Sequence, residues 1–293
     1  MRGTCSHCDK AELAALVRLQ GTLSISGEGG SHLDIATETG SVARALFSLM
    51  RSVCDVQVKV TVRRSVLHKT HNYLITVPAQ PGFTETLHEL GVLGDEGFEA
   101  GIRPELVERT CCAGAYLRGA FLAGGYIADP RGDFHFEMTC SSAELADGLV
   151  ETMAENGIRA RAIRRHSSYL VYMKGVDEIL AFLAFVGAHQ GVLAMENARV
   201  IKSVRNDTNR RVNAEIANQV KASTAAVGQI ERIRRLLDEK GADVLSPALA
   251  EVAELRLAHP DASLKELGEL ANPPLSKSAV SHRLRRIDAL LEQ

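Results

Sequence analysis

No stretch of this chain approaches the roughly 18 consecutive apolar residues that a membrane helix needs, which excludes a spanning segment of that kind. Net charge is nearly absent as well, −2 over 293 residues. A chain-wide basic field therefore cannot attract a polyanion, and such a partner would have to be met by local clusters. Cysteine is sparse: six residues, at 5, 8, 54, 111, 112 and 140, with CxxC spacing only at Cys5 and Cys8. No second pair stands at a zinc-ribbon distance, and adjacent Cys111 and Cys112 make a poor disulfide framework. The run Cys5, His7, Cys8 falls short of the four ligands of a structural zinc site, so free thiols, no metal and no cofactor are expected. Met1-Arg2 is followed by Cys5, His7 and Cys8 rather than by the apolar core of a secretory signal. The expected address is cytoplasmic.

What is present is a repeat. Residues 11 to 187 carry one plan twice. The first pass opens with the helical stretch Glu12 to Gly21, followed by short strands near 22–26 and 32–37. Val42, Ala45, Leu46, Leu49 and Met50 recur at helical spacing. Val56, Val58, Val60 and Val62 alternate strictly, Tyr73-Leu-Ile-Thr-Val77 gives a further strand, and Pro78, Pro81 and Gly82 close the unit. The second pass opens at Tyr116 to Gly125. It has strands near 126–128 and 133–139, a helix at 142–156 through Leu145, Leu149 and Met153, strands near 159–164 and 168–173, and a helix within 175–187. Each pass is α-β-β-α-β-β, too long for a solenoid repeat and suited to two half-domains about a pseudo-twofold axis. Ala14 and Ala15 in one opening helix, with Gly119, Ala120 and Ala123 in the other, would let two backbones approach closely. An ordinary pair of core helices is the alternative.

The C-terminal residues read as a helix-turn-helix. Ser246-Pro247 opens a helix running through Leu249, Val252, Ala253 and Leu255 to His259-Pro260. Ser263-Leu-Lys265-Glu266 is a capping box, and Leu264, Leu267 and Leu270 supply an inward stripe. Asn272-Pro-Pro274 breaks the chain, and Ser276 caps a last helix on which Val280, Leu284, Ile287 and Leu291 face inward. Ser278, Ser281, His282 and Arg285 face outward, flanked by Lys277 and Arg286, with no acid between 276 and 286. That pattern suits the major groove of double-stranded DNA. Ser276 and Lys265 complete the candidate contact set. Arg283 lies nearer the apolar stripe, where phosphate contact or a structural role is expected. A solvated basic helix in a small bundle is the plain alternative.

Residues 188–245 read as helical and linking. From 199 to 211, Arg199, Lys202, Arg205, Arg210 and Arg211 give five bases against one acid, and Asn206, Asn209 and Asn213 share one helical face. Arg205, Asn209, Arg210 and Asn213 are candidate secondary contacts for nucleic acid or for docking. So are Lys59 and Arg63, on the outward face of one strand; Arg159, Arg161, Arg164 and Arg165 cluster in the second repeat.

The stretches Leu13 to Gly21 and Leu117 to Gly125 resemble the LAGLIDADG signature of homing endonucleases. That family sets a metal-binding acid at the foot of each such helix and lays a saddle-shaped sheet on DNA. Here the acid positions hold Gln20 and Gly124, which cannot ligate a hard cation, so the resemblance implies the fold without catalysis. Glu12 and Asp129 are nearby acids outside the signature positions.

Together with Asn209 to Asn218, Glu254-Leu-Arg256, Ser263 to Gly268 and Ser276 to Arg286, these segments resemble the WhiA family of bacterial regulators. The resemblance spans nearly the whole chain, although family members carry an extra helical segment ahead of the first motif. It implies non-enzymatic transcription control linked to cell division, chromosome segregation and sporulation, at the nucleoid. It also implies contacts with RNA polymerase sigma factor and with a WhiB-type iron–sulfur protein. The expected architecture is α+β. A LAGLIDADG-like pseudo-twofold repeat fills 1–190, with halves at about 10–80 and 110–187. A helical linker follows at 191–245, then an all-α helix-turn-helix resembling sigma factor region 4 at 246–293. A protein-binding adaptor of the transcription machinery and a metal-dependent endonuclease with relocated ligands are the other two classes.

Overall fold

The computed structural model describes residues 5–25, 30–64, 71–95 and 97–292, in two compact units, Met1–Ile201 and Lys202–Gln293. The far end of the first expected strand, at residue 26, lies outside the described residues, as do Met1 and Arg2.

The first unit contains the repeat. Its first half is α1 (Ser6–Gln20), β1 (Gly21–Ser24), β2 (His32–Thr37), α2 (Gly40–Val53), β3 (Lys59–Arg64) and β4 (His71–Pro78). A connecting segment holds α3 (Phe83–Glu89) and the hairpin β5 (Leu93–Gly94) and β6 (Gly97–Phe98). The second half is α4 (Thr110–Gly124), β7 (Gly125–Ile127), β8 (Phe136–Cys140), α5 (Ala143–Glu155), β9 (Arg161–Arg165), β10 (Ser168–Met173) and α6 (Val176–Phe185). The two four-stranded antiparallel sheets have matching orders, β1-β2-β4-β3 and β7-β8-β10-β9. Ile35 pairs with Ile75 in one, and Met138 pairs with Val171 in the other. These central positions are buried, as period-2 alternation requires of a sheet with one face on a core.

The structure departs from the sequence pattern in several places: the opening helices begin at Ser6 and Thr110 instead of Glu12 and Tyr116. The valine alternation predicts a strand from Val56, yet β3 starts at Lys59. The Gln80 side chain engages the backbone of Gln57 in both directions, accepting from its N–H at 2.7 Å and donating to its carbonyl at 2.9 Å. Those bonds replace a strand partner there. Nor do Pro78, Pro81 and Gly82 stop the chain: α3 follows at once and buries Phe83 and Leu87.

α1 and α4 pack along each other at the centre of this unit. Leu13, Ala14, Ala15 and Leu16 of α1 and Leu117, Gly119 and Ala120 of α4 are all buried. The small residues are there for proximity. A Cβ at position 119 would stand 2.3 Å from the Glu12 carbonyl oxygen and 3.0 Å from the Ala15 Cβ. Neither helix is amphipathic, because partners surround both.

The second unit holds α8 (Pro247–Ala258), α9 (Leu264–Leu270) and α10 (Lys277–Leu291). The division between the units falls within α7 (His189–Lys240). Ile233 and Leu236 of α7 join Leu249, Val252, Leu267, Val280, Leu284 and Ile287 in one apolar cluster, so this core reaches back before residue 246.

Candidate nucleic-acid interface

The caps of α9 and α10 follow the sequence closely, but of the inward stripe expected on α9 Leu267 is buried, Leu264 is half-buried and Leu270 is exposed. Ser263 caps α9: its hydroxyl accepts from the Glu266 N–H at 3.3 Å, and the Glu266 carboxylate accepts from the Ser263 N–H at 2.7 Å. These backbone and side-chain bonds with Ser263 hold the Glu266 carboxyl below its ordinary pKa. Ser276 caps α10, accepting from the Ala279 N–H at 3.2 Å. Its hydroxyl also lies 3.0 Å from that of Ser278. On α10, Val280, Leu284 and Ile287 are buried and Leu291 is half-buried.

The opposite side carries the candidate contacts. Ser276, Lys277, Ser278, His282, Arg285 and Arg286 are exposed, and Ser281 is half-buried. Arg285 reaches the Ser281 hydroxyl at 3.5 Å, a long and easily exchanged bond. Lys265 is exposed on α9, 3.6 Å from Glu269. Arg283 is different. Its guanidinium turns inward, donating to the Ala248 carbonyl at 3.2 Å and to Glu251 at 3.1 Å. Of the two roles expected for Arg283, the geometry supports the structural one.

Two residues to which the sequence assigned no role, Glu251 and Arg256, hold this arrangement together. Glu251 accepts from Arg283 through one carboxylate oxygen, and through the other from the Asn272 N–H at 2.8 Å. It thus ties α8 both to α10 and to the turn before it. Arg256 is 2% exposed and donates to the Ala262 carbonyl at 2.6 Å, fixing the link from α8 to α9. Burial lowers its pKa. An Arg256→Ala chain is expected to lose about 2–3 kcal/mol in the urea unfolding of this unit, because a buried side chain leaves the core and the half-buried Ala262 carbonyl loses its donor. A change below about 0.5 kcal/mol would show that the contact contributes nothing.

Arg205, Asn209, Arg210 and Asn213 are all exposed on α7. Arg210 pairs with Asp207 of its own helix at 2.9 Å, so its charge is partly answered locally. Lys59 and Arg63 are exposed on β3, opposite Thr76 and Asn72, on the outer face of the first sheet. Arg159 is held by Glu178 at 3.0 Å, whereas Arg161 lies on the outer face of the second sheet, opposite Tyr172. These faces are not uniformly basic. Asp34 on β2 and Glu137 on β8 occupy equivalent outer positions, each beside a histidine two residues earlier, His32 at 3.5 Å and His135 at 3.0 Å.

The feet of α1 and α4 differ from a two-carboxylate metal site. The Gln20 amide donates to the Ala123 carbonyl at 2.7 Å. Gly124 lies against β8, where a Cβ would meet the Thr139 carbonyl oxygen at 3.0 Å. Of the two acids outside the signature positions, Glu12 is wholly buried and pairs with Arg118 at 2.6 Å. Asp129 is bound by Arg131, whose hydrogen bonds hold its carboxyl down at about 2.

At the other ends of the same helices the structure assembles a group that sequence spacing left incomplete. His7 and Cys8 of α1 meet Cys111 and Cys112 of α4, with one ligating atom from each within 4.8 Å of all the others. His7 Nδ1 lies 3.0 Å from Cys112 Sγ and 3.5 Å from Cys8 Sγ, and Cys5 Sγ lies 2.6 Å from His7 Nε2. Burial, with the neighbouring Cys111 and Cys112 sulfurs, pushes the Cys8 thiol up to about 12. The missing ligands were a hundred residues away. The signal was their equal placing in two helices of the same length.

A paired-repeat fold with neutral helix feet, together with a capped helix-turn-helix, defines a LAGLIDADG-like DNA-binding class. Three family models match: the WhiA N-terminal LAGLIDADG-like domain over residues 6–93, the WhiA LAGLIDADG-like domain over 113–205, and the WhiA C-terminal HTH domain over 208–291. The chain belongs to the WhiA family. It is 44% identical over 294 residues to the probable cell division protein WhiA of Desulforamulus reducens, covering 99% of this chain and 91% of that one. Its identity to the protein of the same name from Heliobacterium modesticaldum is also 44%, covering 97% and 90%. The crystal structure of full-length DUF199/WhiA from Thermatoga maritima matches with a TM-score of 0.60 at 23% identity, covering 100% of this chain and 94% of that one. Among the described residues no helix is long and apolar enough to cross a membrane.

Proposed function

We propose that this protein is a non-catalytic, DNA-binding transcription regulator acting in cell division, whose reading element is α10. The observation that carries this is the asymmetry of that helix. Its inward side is buried, its one inward arginine is tied to Glu251, and its outward side offers Ser278, His282, Arg285 and Arg286 with no acid from 276 to 286. Such a helix can place short polar and bidentate side chains against base edges while its cap and flanks meet phosphates. Ser276, Lys277 and Lys265 are assigned to the flanks, and Ser278, Ser281, His282 and Arg285 to the bases. The working division is a repeat at 1–190, a linker at 191–245 and a reading module at 246–293. Lys59, Arg63, Arg205, Asn209, Arg210 and Asn213 are assigned secondary, sequence-independent or docking contacts. The family resemblance extends the proposal to chromosome segregation and sporulation genes, a sigma factor, a WhiB-type partner and residence at the nucleoid.

Footprinting of the intact chain at several salt concentrations tests the reading. Arg285→Ala is expected to cost about 1–3 kcal/mol of specific binding and to relax preference at one base pair. Lys277→Ala is expected to weaken all sequences alike and reduce the salt slope by about one. An unchanged specific footprint in Arg285→Ala would remove the base-reading assignment.

The non-catalytic half of the proposal is supported by Gln20 and Gly124 at the helix feet and by the engagement of Glu12 and Asp129 with arginines. Supercoiled plasmid incubated with the protein and Mg²⁺ or Mn²⁺ is expected to stay intact. Cutting that disappears in an Asp129→Asn chain would overturn this.

A further inference from the structure

We propose that His7, Cys8, Cys111 and Cys112 form a structural zinc site that joins the first turns of α1 and α4 on the pseudo-twofold axis of the repeat. α1 and α4 have 15 residues each, and the four side chains occupy the same two places in each helix, so each half of the repeat supplies two ligands. A tetrahedral ion with Zn–S near 2.3 Å and Zn–N near 2.0 Å sets its ligand atoms about 3.5–3.8 Å apart. The four atoms here all lie within 4.8 Å of one another, and His7 Nδ1 is 3.5 Å from Cys8 Sγ. Drawing the widest-spaced of them together by up to about 1 Å, while His7 Nδ1 and Cys112 Sγ, 3.0 Å apart, ease outward, brings them onto one ion. An iron–sulfur cube would spread its four thiolates wider than this.

The donor set names the metal. Three thiolates and one imidazole, all from protein, make a closed site of the Cys₃His type, which zinc fills as a fixed brace and which leaves no position for substrate. Both pairs sit in the first turn of a helix, and a bound Zn²⁺ would hold all three thiols as thiolates. Cys5 would have the supporting part: its sulfur lies 2.6 Å from His7 Nε2, and an Nε2–H directed to it would leave the Nδ1 lone pair for the ion. A brace here would bind residues a hundred positions apart in the chain, at the end of the central helix pair opposite to Gln20 and Gly124.

The test is metal analysis of the intact, untagged chain purified under reducing conditions. About one zinc per chain, released by a mercurial thiol reagent, is expected. Replacement by Co²⁺ should give thiolate-to-metal charge-transfer absorption and the intense visible bands of tetrahedral cobalt. Cys8→Ser and Cys112→Ser should lose the metal. Cys5→Ser should keep it with affinity lowered about 10- to 100-fold, and Cys54→Ser, outside the cluster, should bind as the parent does. If the ligand variants do not fold, the parent chain alone decides. A folded, reduced parent with less than about a tenth of an equivalent of zinc and no cobalt spectrum overturns the proposal. Iron with inorganic sulfide overturns the single-ion assignment.

Discussion

A Gly119→Ala chain is expected to lose on the order of 3 kcal/mol of stability in its first unit, or to fail to fold at 37 °C. The added methyl would stand 2.3 Å from the backbone oxygen of Glu12 and 3.0 Å from the Ala15 Cβ. No rotamer change relieves this, because the first obstacle is main chain. α1 and α4 would have to move apart, and the contacts of Leu13, Leu16 and Leu117 along the same interface would loosen together. Replacing Gly by Ala inside a helix normally stabilises by up to about 1 kcal/mol, so a loss also reverses the sign expected from helix propensity. Gly101→Ala is the matched control: nothing lies within 4 Å of a Cβ there, and a change under about 0.5 kcal/mol is expected. Chemical denaturation of the three chains provides the comparison. Equal midpoints for Gly119→Ala and the parent would mean that the helices are not held at this distance.

The second large effect belongs to the other unit. Gly268 lies near the end of α9, where its carbonyl accepts the Leu275 N–H at 2.7 Å, and a Cβ on it would stand 2.2 Å from the Leu275 carbonyl oxygen. Gly268→Ala is therefore expected to push the turn away from α9 and misplace the start of α10. Specific DNA binding should fall at least about tenfold, which corresponds to roughly 1.4 kcal/mol. The unfolding of the first unit should stay as in the parent. Gly228→Ala, on α7, would press on the Arg232 guanidinium that Asp288 of α10 holds at 2.7 Å, so Gly101→Ala, with nothing within 4 Å, is the control that should leave DNA binding unchanged. A specific footprint as strong in Gly268→Ala as in the parent would show that the turn is not what positions α10.

How much of this was legible depended on whether the relevant physics was local. The caps at Ser263 and Ser276 and the inward stripe Val280, Leu284, Ile287 follow from spacing of three and four residues, and the structure has them as expected. The repeat was legible because one order of helical and strand segments recurs, ending in Tyr73 to Val77 and in the strand near 168–173. β3 was legible only in part, since Gln80 takes over the backbone of Gln57 from a position 23 residues on. Glu251 and Arg256 were missed for the same reason. An acid and a base on a helix look like ordinary surface charge until the turns that they hold are placed. His7 and Cys8 looked incomplete because ligand spacing was sought along the chain, whereas the completing pair is related by the symmetry of the fold.

Glu251 also bears on how α10 can fail. An apolar stripe resists withdrawal from a core but tolerates small rotations, since neighbouring methyl groups are nearly interchangeable as contacts. A carboxylate that grips Arg283 on the helix and the Asn272 N–H just ahead of it does not tolerate them. It works as a pawl on the helix axis, setting the azimuth at which Ser281, His282 and Arg285 point. Errors at position 251 should accordingly be errors of reading before they are errors of folding: a protein still compact, still on DNA, and on the wrong sequence.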